Sequence, residues 1–363
     1  MDFSYYMPVR VIAGADCVTN NAKLFKHFGN RALIVSGKSS AKNGSLFDVE
    51  QVLRVNGQKF EVFDSISSNP NVQTVREGAR LARSFGADFV VAIGGGSPMD
   101  AAKAIAMLAK QEAEDIFSYS ISDDVLPMIH IPTTAGTGSE VTQYSVLTND
   151  KAKTKMSISA PSLFPKIAFL DGKYMKGLPQ NVTVNTAIDA LSHAVEGMLS
   201  VRANAVTDAL AKEALRILMG EYDSLAAGEY SEEVRQNLLI GASLAGMVIA
   251  GTGTTPVHGM GYCLTYFRDV PHGRANGLLL PVFLRECKKK IPARISKILA
   301  ALGMELAEFS QKISALLGDR EHYAAAELQN YAHQAAQNRN ILNCAAHFNE
   351  EELFKVLCES VGE

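Results

Sequence analysis

The stretch DFVVAIGGGSPMDAAKAIAMLAK, from residue 88 to residue 110, decides the fold of this chain. Its first part is an unbroken apolar run, which is typical of a strand buried on both faces of a sheet. Three glycines follow, and Ser97 and Pro98 then stand where a helix N-cap and a first helical residue are expected. The free N–H groups at the start of that helix suit a pyrophosphate. Because the loop is not the G-x-G-x-x-G fingerprint, a plain tight turn without a ligand stays an alternative.

The sequence on both sides continues this alternation of strand and helix. Strands are predicted in RALIVSGKSS at 31–40, in QKFEVFDSI at 58–66 and in MIHIPTTAGTGSE at 128–140, and a helix is predicted in VQTVREGARLARSFGA at 72–87. Such alternation indicates a parallel sheet covered by helices. Loops of small residues follow two of these strands. Two such loops at strand ends in one sheet favour a dinucleotide in the crevice beside them.

The second half of the chain has a different character. After Leu178 and Pro179 the apolar spacing is helical almost to the end, and β-rich runs nearly vanish. A length of 363 residues suits two domains. We therefore predict a dinucleotide-binding α/β domain at 1–178 and a helical, metal-binding domain at 179–363.

Composition excludes several classes of function. A formal net charge of −3 gives no electrostatic case for nucleic acid or an anionic membrane as the main partner. The five cysteines are scattered without a CxxC spacing, and the first residues do not form a signal peptide, so a cytoplasmic enzyme is expected. The longest apolar stretch, 239–251, is interrupted by glycines and is predicted to be a buried helix too short to span a bilayer.

Histidines and one carboxylate suggest a metal site in the second half. Asp189 and His193, in DALSHAVEG, are four residues apart and so lie on one face of a helix. His258 and His272 are each followed by glycine, which would let an imidazole approach a metal without crowding. Three imidazoles and one carboxylate suit a divalent metal such as Fe²⁺ or Zn²⁺. Taken alone, an Asp/His pair at this spacing is usually a local hydrogen bond or surface pair, and a lone histidine is more often structural than a ligand.

Together these segments resemble the iron-containing (group III) alcohol dehydrogenase family. Four motifs occur in the family's order between about residue 30 and residue 285: IGGGSPMDAAKAIA, PTTAGTGSEVT, DALSHAVEG and HGMGYCLTYFRDVPHGRANGLLLP. The resemblance implies a Rossmann-like α/β N-terminal domain, an all-α C-terminal domain in a dehydroquinate synthase-like architecture, and a catalytic cleft between them. It implies hydride transfer between a nicotinamide cofactor and a small alcohol or aldehyde, and, by analogy, a homo-oligomer.

The resemblance also implies the site residues. The metal ligands would be Asp189, His193, His258 and His272. The cofactor contacts would be Gly95, Gly96 and Ser97 at the pyrophosphate, Thr133, Thr134 and Thr142 near the adenosine and nicotinamide ribose, and Asn69 and Lys155. A metal held by these ligands would polarise the substrate oxygen.

The loop after the first predicted strand bears on the choice of cofactor. NAD-preferring members often carry aspartate where this chain has Gly37, and here Lys38, Ser39, Ser40 and Lys42 follow it. Donors and positive charge near Gly37, Ser39 and Ser40 favour a 2′-phosphate, so NADP(H) is predicted over NAD(H). The alternative is a plain polar loop in an enzyme that uses NAD(H).

Two residues between the last two predicted ligands are candidates for the chemistry. Many members carry a second histidine after the third ligand, where this chain has Tyr262. Histidine titrates near neutrality and tyrosine only at about pH 10, so Tyr262 would donate a hydrogen bond, relay a proton or form a pocket wall, but would be a poor base. Arg268 either contacts an anionic aldehyde or pairs with Asp269 on the surface.

Other functions stay open at this stage. A lyase resembling dehydroquinate synthase would share the architecture, but it uses a different ligand pattern, and the DALSHA helix counts against it. An enzyme resembling glycerol dehydrogenase would normally lack histidine at the position of His193. A sensor that binds nucleotide and metal without catalysis is the non-enzymatic alternative.

Overall fold

The computed structural model describes residues 2–152 and 154–363, which form two compact units. The sheet unit contains Met7–Leu178 and Ser231–Ser243, and the helical unit contains residues 2–6, Pro179–Tyr230 and Leu244–Glu363. The junction at Leu178 coincides with the predicted domain boundary. Ser231–Ser243 joins the sheet unit although its sequence is helical, because helical spacing does not reveal which core a helix packs against.

Six parallel strands form the main sheet of the sheet unit. Its strands are β1 (Arg10–Ala13), β2 (Arg31–Ser36), β3 (Lys59–Phe63), β4 (Phe89–Gly94), β5 (Met128–Pro132) and β8 (Ile167–Leu170). Their order is β1-β8-β5-β4-β2-β3, and every pairing is parallel. Apart from the edge strand β1, this is a doubly wound arrangement. The predicted Rossmann-like α/β fold is confirmed.

Helices cover both faces of this sheet. They are α1 (Cys17–Asn20), α2 (Ser45–Val55), α3 (Val72–Phe85) and α4 (Gly96–Leu108), with short 3₁₀ turns at Ala22–Phe28, Ser139–Val141, Pro161–Leu163 and Gly172–Met175. Successive side chains of a strand point to opposite faces. Val90 and Ala92 of β4 accordingly lie in the core with α3 and α4, whereas Val91 and Ile93 lie in the core with α1 and α2. This explains why the run that ends in the glycines is apolar at every position.

A separate antiparallel pair follows β5. Strands β6 (Tyr144–Asn149) and β7 (Thr154–Ser159) pair in register from Tyr144 opposite Ser159 to Asn149 opposite Thr154. The sequence patterns did not single out this pair, because its side chains are mostly half-buried and its residues are largely polar.

The helical unit is built from long helices, as predicted. They are α5 (Gln180–Leu199), α6 (Ala205–Gly220), α7 (Tyr222–Ala227), α9 (Pro256–Arg268), α10 (His272–Lys290), α11 (Pro292–Leu302), α12 (Leu306–Leu317), α13 (Ala325–Ala336), α14 (Arg339–Leu342) and α15 (Glu350–Val361), and α8 (Glu232–Thr252) is shared with the sheet unit. Beyond helices, the described residues of this unit form only isolated bridges, at Ser200 with Cys344 and at Tyr323 with Gly362.

The apolar stretch 239–251 lies in α8. The prediction of a buried helix is confirmed, but the helix is longer than the apolar stretch: it starts at Glu232, and its 21 residues are long and apolar enough by length and composition to cross a membrane. Of its most apolar window, 61% is nevertheless buried inside the chain, as in a core helix of a soluble protein. Its first turns also bond to the sheet unit: the Arg235 guanidinium donates to the Met175 carbonyl at 2.6 Å, and Gln236 donates to the Leu170 carbonyl at 3.0 Å.

Candidate metal centre

Three helices of the helical unit bring the four predicted ligands together. Asp189 and His193 lie one turn apart on α5, His258 lies in the first turn of α9, and His272 is the first residue of α10. The Nε2 atoms of His193, His258 and His272 lie 3.9, 3.7 and 3.8 Å from Asp189 Oδ1, and the Nε2 atoms of His193 and His258 are 2.9 Å apart.

Glycine in α10 allows this convergence. A Cβ on Gly273 would lie 1.8 Å from the carbonyl oxygen of Asn185, and a Cβ on Gly277 would lie 2.6 Å from Cγ2 of Ile188. Both contacts are with α5, so α10 lies directly against the backbone of α5 next to Asp189. The glycine after His272 therefore serves close packing of two helices, rather than room around the imidazole as the sequence suggested.

Asn276 is a site residue that sequence reasoning missed. Its buried amide nitrogen lies 2.9 Å from Asp189 Oδ1, 3.2 Å from His258 Nε2 and 3.4 Å from His272 Nε2. Asn276 follows His272 by four residues, so the two side chains share one face of α10. That spacing, within the motif HGRANG, is the signal that could have revealed it.

Glu196 is a second residue without a predicted role. It is 0% exposed, and His258 Nδ1 hydrogen-bonds to its Oε2. Its Oε1 accepts the backbone N–H of Thr255 at 2.8 Å and the Thr255 hydroxyl at 2.7 Å. Glu196 lies seven residues after Asp189, two turns along the same face of α5, and this spacing was visible in DALSHAVEG.

The electrostatics of this cluster favour a cation. Burial alone would raise the pKa of Asp189, but His193, His272 and His258 with the Asn276 amide outweigh it, so the pKa lies below its ordinary value. Burial alone would lower the pKa of His258, but the carboxylates of Glu196 and Asp189 outweigh burial, so this pKa lies above its ordinary value. Positive charge is thus drawn to a buried site that holds two carboxylates.

The donor set fits a divalent first-row metal. With bonds of about 2.0–2.2 Å, the ligand atoms of a tetrahedral site are about 3.3–3.6 Å apart. The ligand atoms of Asp189, His258 and His272 all lie within 4.8 Å of one another, and His193 Nε2 lies 2.9 Å from His258 Nε2 and 3.9 Å from Asp189 Oδ1. Imidazole and carboxylate are ligands that both iron and zinc accept, so these residues could hold either metal.

In the sheet unit, the predicted cofactor loops lie at the point where the strand order reverses. One loop follows β2 and contains Gly37, and the other follows β4 and leads through Gly95 into Gly96 and Ser97 at the start of α4. A Cβ on Gly37 would lie 3.6 Å from Pro98 of α4, so the two loops are neighbours. Open α/β sheets bind ligands in the crevice at this reversal.

Glycines in the second loop allow it to pack against the loop after β5, called here the threonine loop, which contains Thr134 and Thr137. A Cβ on Gly95 would lie 2.9 Å from Thr134 Oγ1, and one on Gly96 would lie 2.7 Å from Thr137 Cγ2. Helix α4 begins at Gly96, two residues before the predicted start at Pro98, and no side chain caps it. Ser97 is therefore not the N-cap; its hydroxyl instead accepts the backbone N–H of Asn69 at 3.3 Å.

Asn69 bonds to Ser97 and to the β6–β7 pair, which contains Lys155. Asn69 is exposed and has a left-handed backbone, with φ of 57°, and its carbonyl accepts the Thr148 hydroxyl at 3.1 Å. Lys155 stands opposite Thr148 in the β6–β7 pair. Hydrogen bonds thus join Ser97, Asn69 and Thr148, and Lys155 is the cross-strand neighbour of Thr148.

The remaining predicted contacts differ in exposure. Ser40 is fully buried and its hydroxyl donates to the Ile93 carbonyl at 3.3 Å, so it packs β2 against β4, whereas Ser39 is exposed. Thr133 is buried and donates its N–H to the Gly94 carbonyl at 2.9 Å, and Thr134 is half-buried. The alternation of facing along a loop cannot be deduced from its composition, which is why Ser40 was grouped with its neighbours.

Thr142 belongs to a buried network around Lys103 that the sequence did not reveal. The Lys103 ammonium donates to Ser139 Oγ at 2.8 Å, to Thr142 Oγ1 at 3.2 Å and to the Tyr144 carbonyl at 2.7 Å, and it lies 3.8 Å from Asp100 Oδ1. Burial lowers the pKa of Lys103 to about 8 although Asp100 and Glu140 oppose it. The network fixes the segment that leads from the threonine loop into β6.

Comparison with known proteins decides the family. Residues 8–172 match the sequence profile described as iron-containing alcohol dehydrogenase, and residues 183–360 match that of the C-terminal domain of the same family. The chain belongs to the iron-containing alcohol dehydrogenase family. It is a metal-dependent alcohol dehydrogenase or aldehyde reductase, an oxidoreductase acting on CH–OH groups, as predicted.

Individual relatives of this alcohol dehydrogenase agree with the assignment. The lactaldehyde reductase of Escherichia coli (strain K12) is 35% identical over 260 residues, which are 70% of this chain and 68% of that protein. An iron-containing alcohol dehydrogenase from Thermotoga maritima superposes with a TM-score of 0.91 at 36% identity, covering 99% of both chains. The sulfoacetaldehyde reductase of Bifidobacterium kashiwanohense, solved in complex with NAD⁺, superposes with a TM-score of 0.89 at 26% identity, covering 99% of both chains. The lyase and sensor alternatives give way to an oxidoreductase.

Tyr262, a candidate for the chemistry, lies beside the predicted metal ligands. Its ring stacks on that of His272, with centroids 5.4 Å apart and planes 11° apart, and meets the ring of His258 edge-on at 6.3 Å. The side chain is half-buried. The Tyr262 ring therefore lies next to the predicted ligands, a position that suits either a proton relay or a pocket wall.

Arg268, in contrast, pairs with another residue of the chain rather than with a substrate. Its guanidinium donates to both carboxylate oxygens of Glu327, at 2.6 and 2.5 Å, and its side chain is 49% exposed. The partner is therefore neither a substrate nor Asp269. Glu327 lies 59 residues further along the chain, on α13, so the local sequence contains no sign of this pair.

Proposed function

We propose that this chain is an aldehyde reductase that holds iron, or zinc in its place, through Asp189, His193, His258 and His272. The observation that carries the proposal is that Asp189, His258 and His272 place ligand atoms within 4.8 Å of one another, with His193 Nε2 2.9 Å from His258 Nε2. Bound there, the metal would polarise the substrate carbonyl oxygen and stabilise the negative charge that hydride transfer creates on it.

The chain's own residues would prepare that reaction. The Asn276 amide orients the Asp189 carboxylate, and Glu196 orients the His258 ring. Tyr262 is proposed to deliver the proton from its hydroxyl to the product oxygen, because a neutral phenol is a donor at pH 7. The uncapped N–H groups at the start of α4 are proposed to bind the pyrophosphate of the cofactor.

NADP(H) is proposed as the preferred cofactor. Gly37 offers no carboxylate to repel a 2′-phosphate, and the exposed Lys38, Ser39 and Lys42 supply positive charge and donors in the same loop. The NAD⁺ complex of the sulfoacetaldehyde reductase supports a nicotinamide cofactor in general. The preference for NADP(H) over NAD(H) is inferred from the loop after β2.

A short aldehyde is proposed as the substrate. Lactaldehyde reductase and sulfoacetaldehyde reductase are both named for aldehydes of two or three carbons. Arg268 no longer supports an anionic substrate, because Glu327 holds it. A cytoplasmic homo-oligomer without nucleic-acid or membrane partners is proposed, and the five free thiols support a reducing compartment.

The test is metal analysis together with a screen of short aldehydes. Protein loaded anaerobically with Fe²⁺, and separately with Zn²⁺, is expected to oxidise NADPH faster than NADH with at least one aldehyde. His258→Ala protein is expected to lose bound metal and turnover together. Full activity of the His258→Ala protein after treatment with a chelator would refute the ligand assignment.

A further inference from the structure

Glu196 is a buried carboxylate, and its hydrogen bonds to neutral neighbours do not by themselves balance its negative charge. The carboxylate is fully buried on α5, and its described contacts come from Thr255 and His258. A carboxylate removed from water is costly unless hydrogen bonds and opposite charge compensate it. The hydrogen bonds from Thr255 bring no opposite charge, so among the described contacts only the His258 ring links this carboxylate to a place where positive charge can lie.

The contact with His258 fixes which ring nitrogen carries the proton. Nδ1 donates to Glu196 Oε2, so in the neutral ring the lone pair lies on Nε2. That nitrogen lies 2.9 Å from His193 Nε2 and 3.7 Å from Asp189 Oδ1, among the other ligand atoms. Histidines that bind metals are commonly oriented in this way by a carboxylate on the far nitrogen.

Glu196 also balances the charge of the site. Three neutral imidazoles and the Asp189 carboxylate carry one negative charge, and Glu196 supplies a second within the same buried cluster. A divalent cation would bring the whole group to neutrality, which is the arrangement that costs least in a medium of low dielectric constant.

We propose that Glu196 is a positioning residue that holds His258 in the metal-binding tautomer and supplies the second negative charge for a divalent cation. This inference rests on the proposed metal site. It assigns a role to a side chain that touches neither the metal nor the substrate.

The test compares two glutamates on packed helices of the same unit. Glu196→Gln keeps the size of the side chain and removes its charge. Glu286→Gln makes the same change on α10, where the carboxylate pairs with Lys289 and Arg285. Zn²⁺ affinity is measured by competition with a chelator of known affinity, and the geometry of the site by the d–d absorption of bound Co²⁺. Glu196→Gln is expected to weaken Zn²⁺ binding by roughly 10- to 100-fold and to alter the Co²⁺ spectrum, whereas Glu286→Gln is expected to change neither.

Thr255→Val serves if the first variant does not fold. It removes the hydroxyl donor to Oε1 and leaves the bond to His258, so a smaller, several-fold loss of Zn²⁺ affinity is expected. Wild-type affinity and an unchanged Co²⁺ spectrum in folded Glu196→Gln protein overturn the inference, as does wild-type affinity in Thr255→Val protein when Glu196→Gln protein is unfolded. A wild-type chain that binds neither ion overturns the proposed metal site itself, which is a distinguishable result.

Discussion

At the scale of single residues, Tyr262 tests how the proton reaches the substrate. Its ring stacks on His272, so Tyr262→Phe preserves the packing and removes only the hydroxyl. We expect kcat for aldehyde reduction to fall by about 100-fold, the lower end of general acid contributions, with metal content unchanged. Tyr262→His is the companion variant, and it should restore turnover with a pH profile displaced toward neutrality. Wild-type kcat in the phenylalanine variant would assign the ring to the pocket wall.

Lys103 makes a prediction about pH and stability. Burial lowers its pKa to about 8, below the value of about 10.4 expected for an unfolded chain. Between these two pH values the unfolded chain binds more protons, so this residue makes the free energy of unfolding rise with pH.

The measurement is a pair of urea titrations at pH 7.5 and pH 9.5. Relative to Lys103→Met, the wild type is expected to gain about 2 kcal/mol of stability between the two conditions. Thiols and tyrosines that also titrate in this range are common to both proteins and cancel in the difference. Equal changes in the two proteins would show that the ammonium does not lose its proton in the folded chain.

At the scale of elements, the approach of α10 to α5 determines whether the ligands meet. A methyl group on Gly273 would collide with the Asn185 carbonyl, so Gly273→Ala should force the helices apart and displace His272 from Asp189. We expect a loss of about 1–3 kcal/mol of stability, measured by urea unfolding, together with weaker Zn²⁺ binding.

Gly220, the last residue of α6, offers the control. A Cβ there would meet no atom within 4 Å, and its φ lies outside the left-handed region, so Gly220→Ala should leave Zn²⁺ affinity unchanged and stability equal or slightly higher. If both alanine variants behave alike, the close contact does not position His272.

Elements also show how far the sequence alone could lead. β4 was predictable because a strand buried on both faces needs apolar side chains at every position, and its sequence has them up to the glycine where the strand ends. The pair β6–β7 was not, because half-exposed strands mix polar and apolar residues and resemble a loop. Residue type and spacing were enough to group the four proposed metal ligands, whereas the bond between Arg268 and Glu327 joins elements that only the folded chain brings together.

At the scale of the whole molecule, the two proposed sites lie in different units, and this leads to the last prediction. The proposed metal ligands all lie in the helical unit, and the proposed cofactor loops all lie in the sheet unit. Each unit has its own packed core or helix contacts, so a defect in one site need not disturb the other. His258→Ala is therefore expected to abolish metal binding and leave NADPH affinity within about 2-fold of wild type, well under 1 kcal/mol of binding free energy.

Gly37→Asp is the reciprocal change. It places a carboxylate in the loop after β2, where a 2′-phosphate would be repelled, so the Kd for NADPH should rise by at least about 10-fold, or 1.4 kcal/mol, while NADH becomes the better cofactor. Zn²⁺ affinity should stay at the wild-type value. NADPH and NADH binding are measured by titration of cofactor fluorescence, and Zn²⁺ by chelator competition, on both variants. If Gly37→Asp weakens NADH as strongly as NADPH, the loop does not select the cofactor; if either variant disturbs both ligands, the two sites do not act independently.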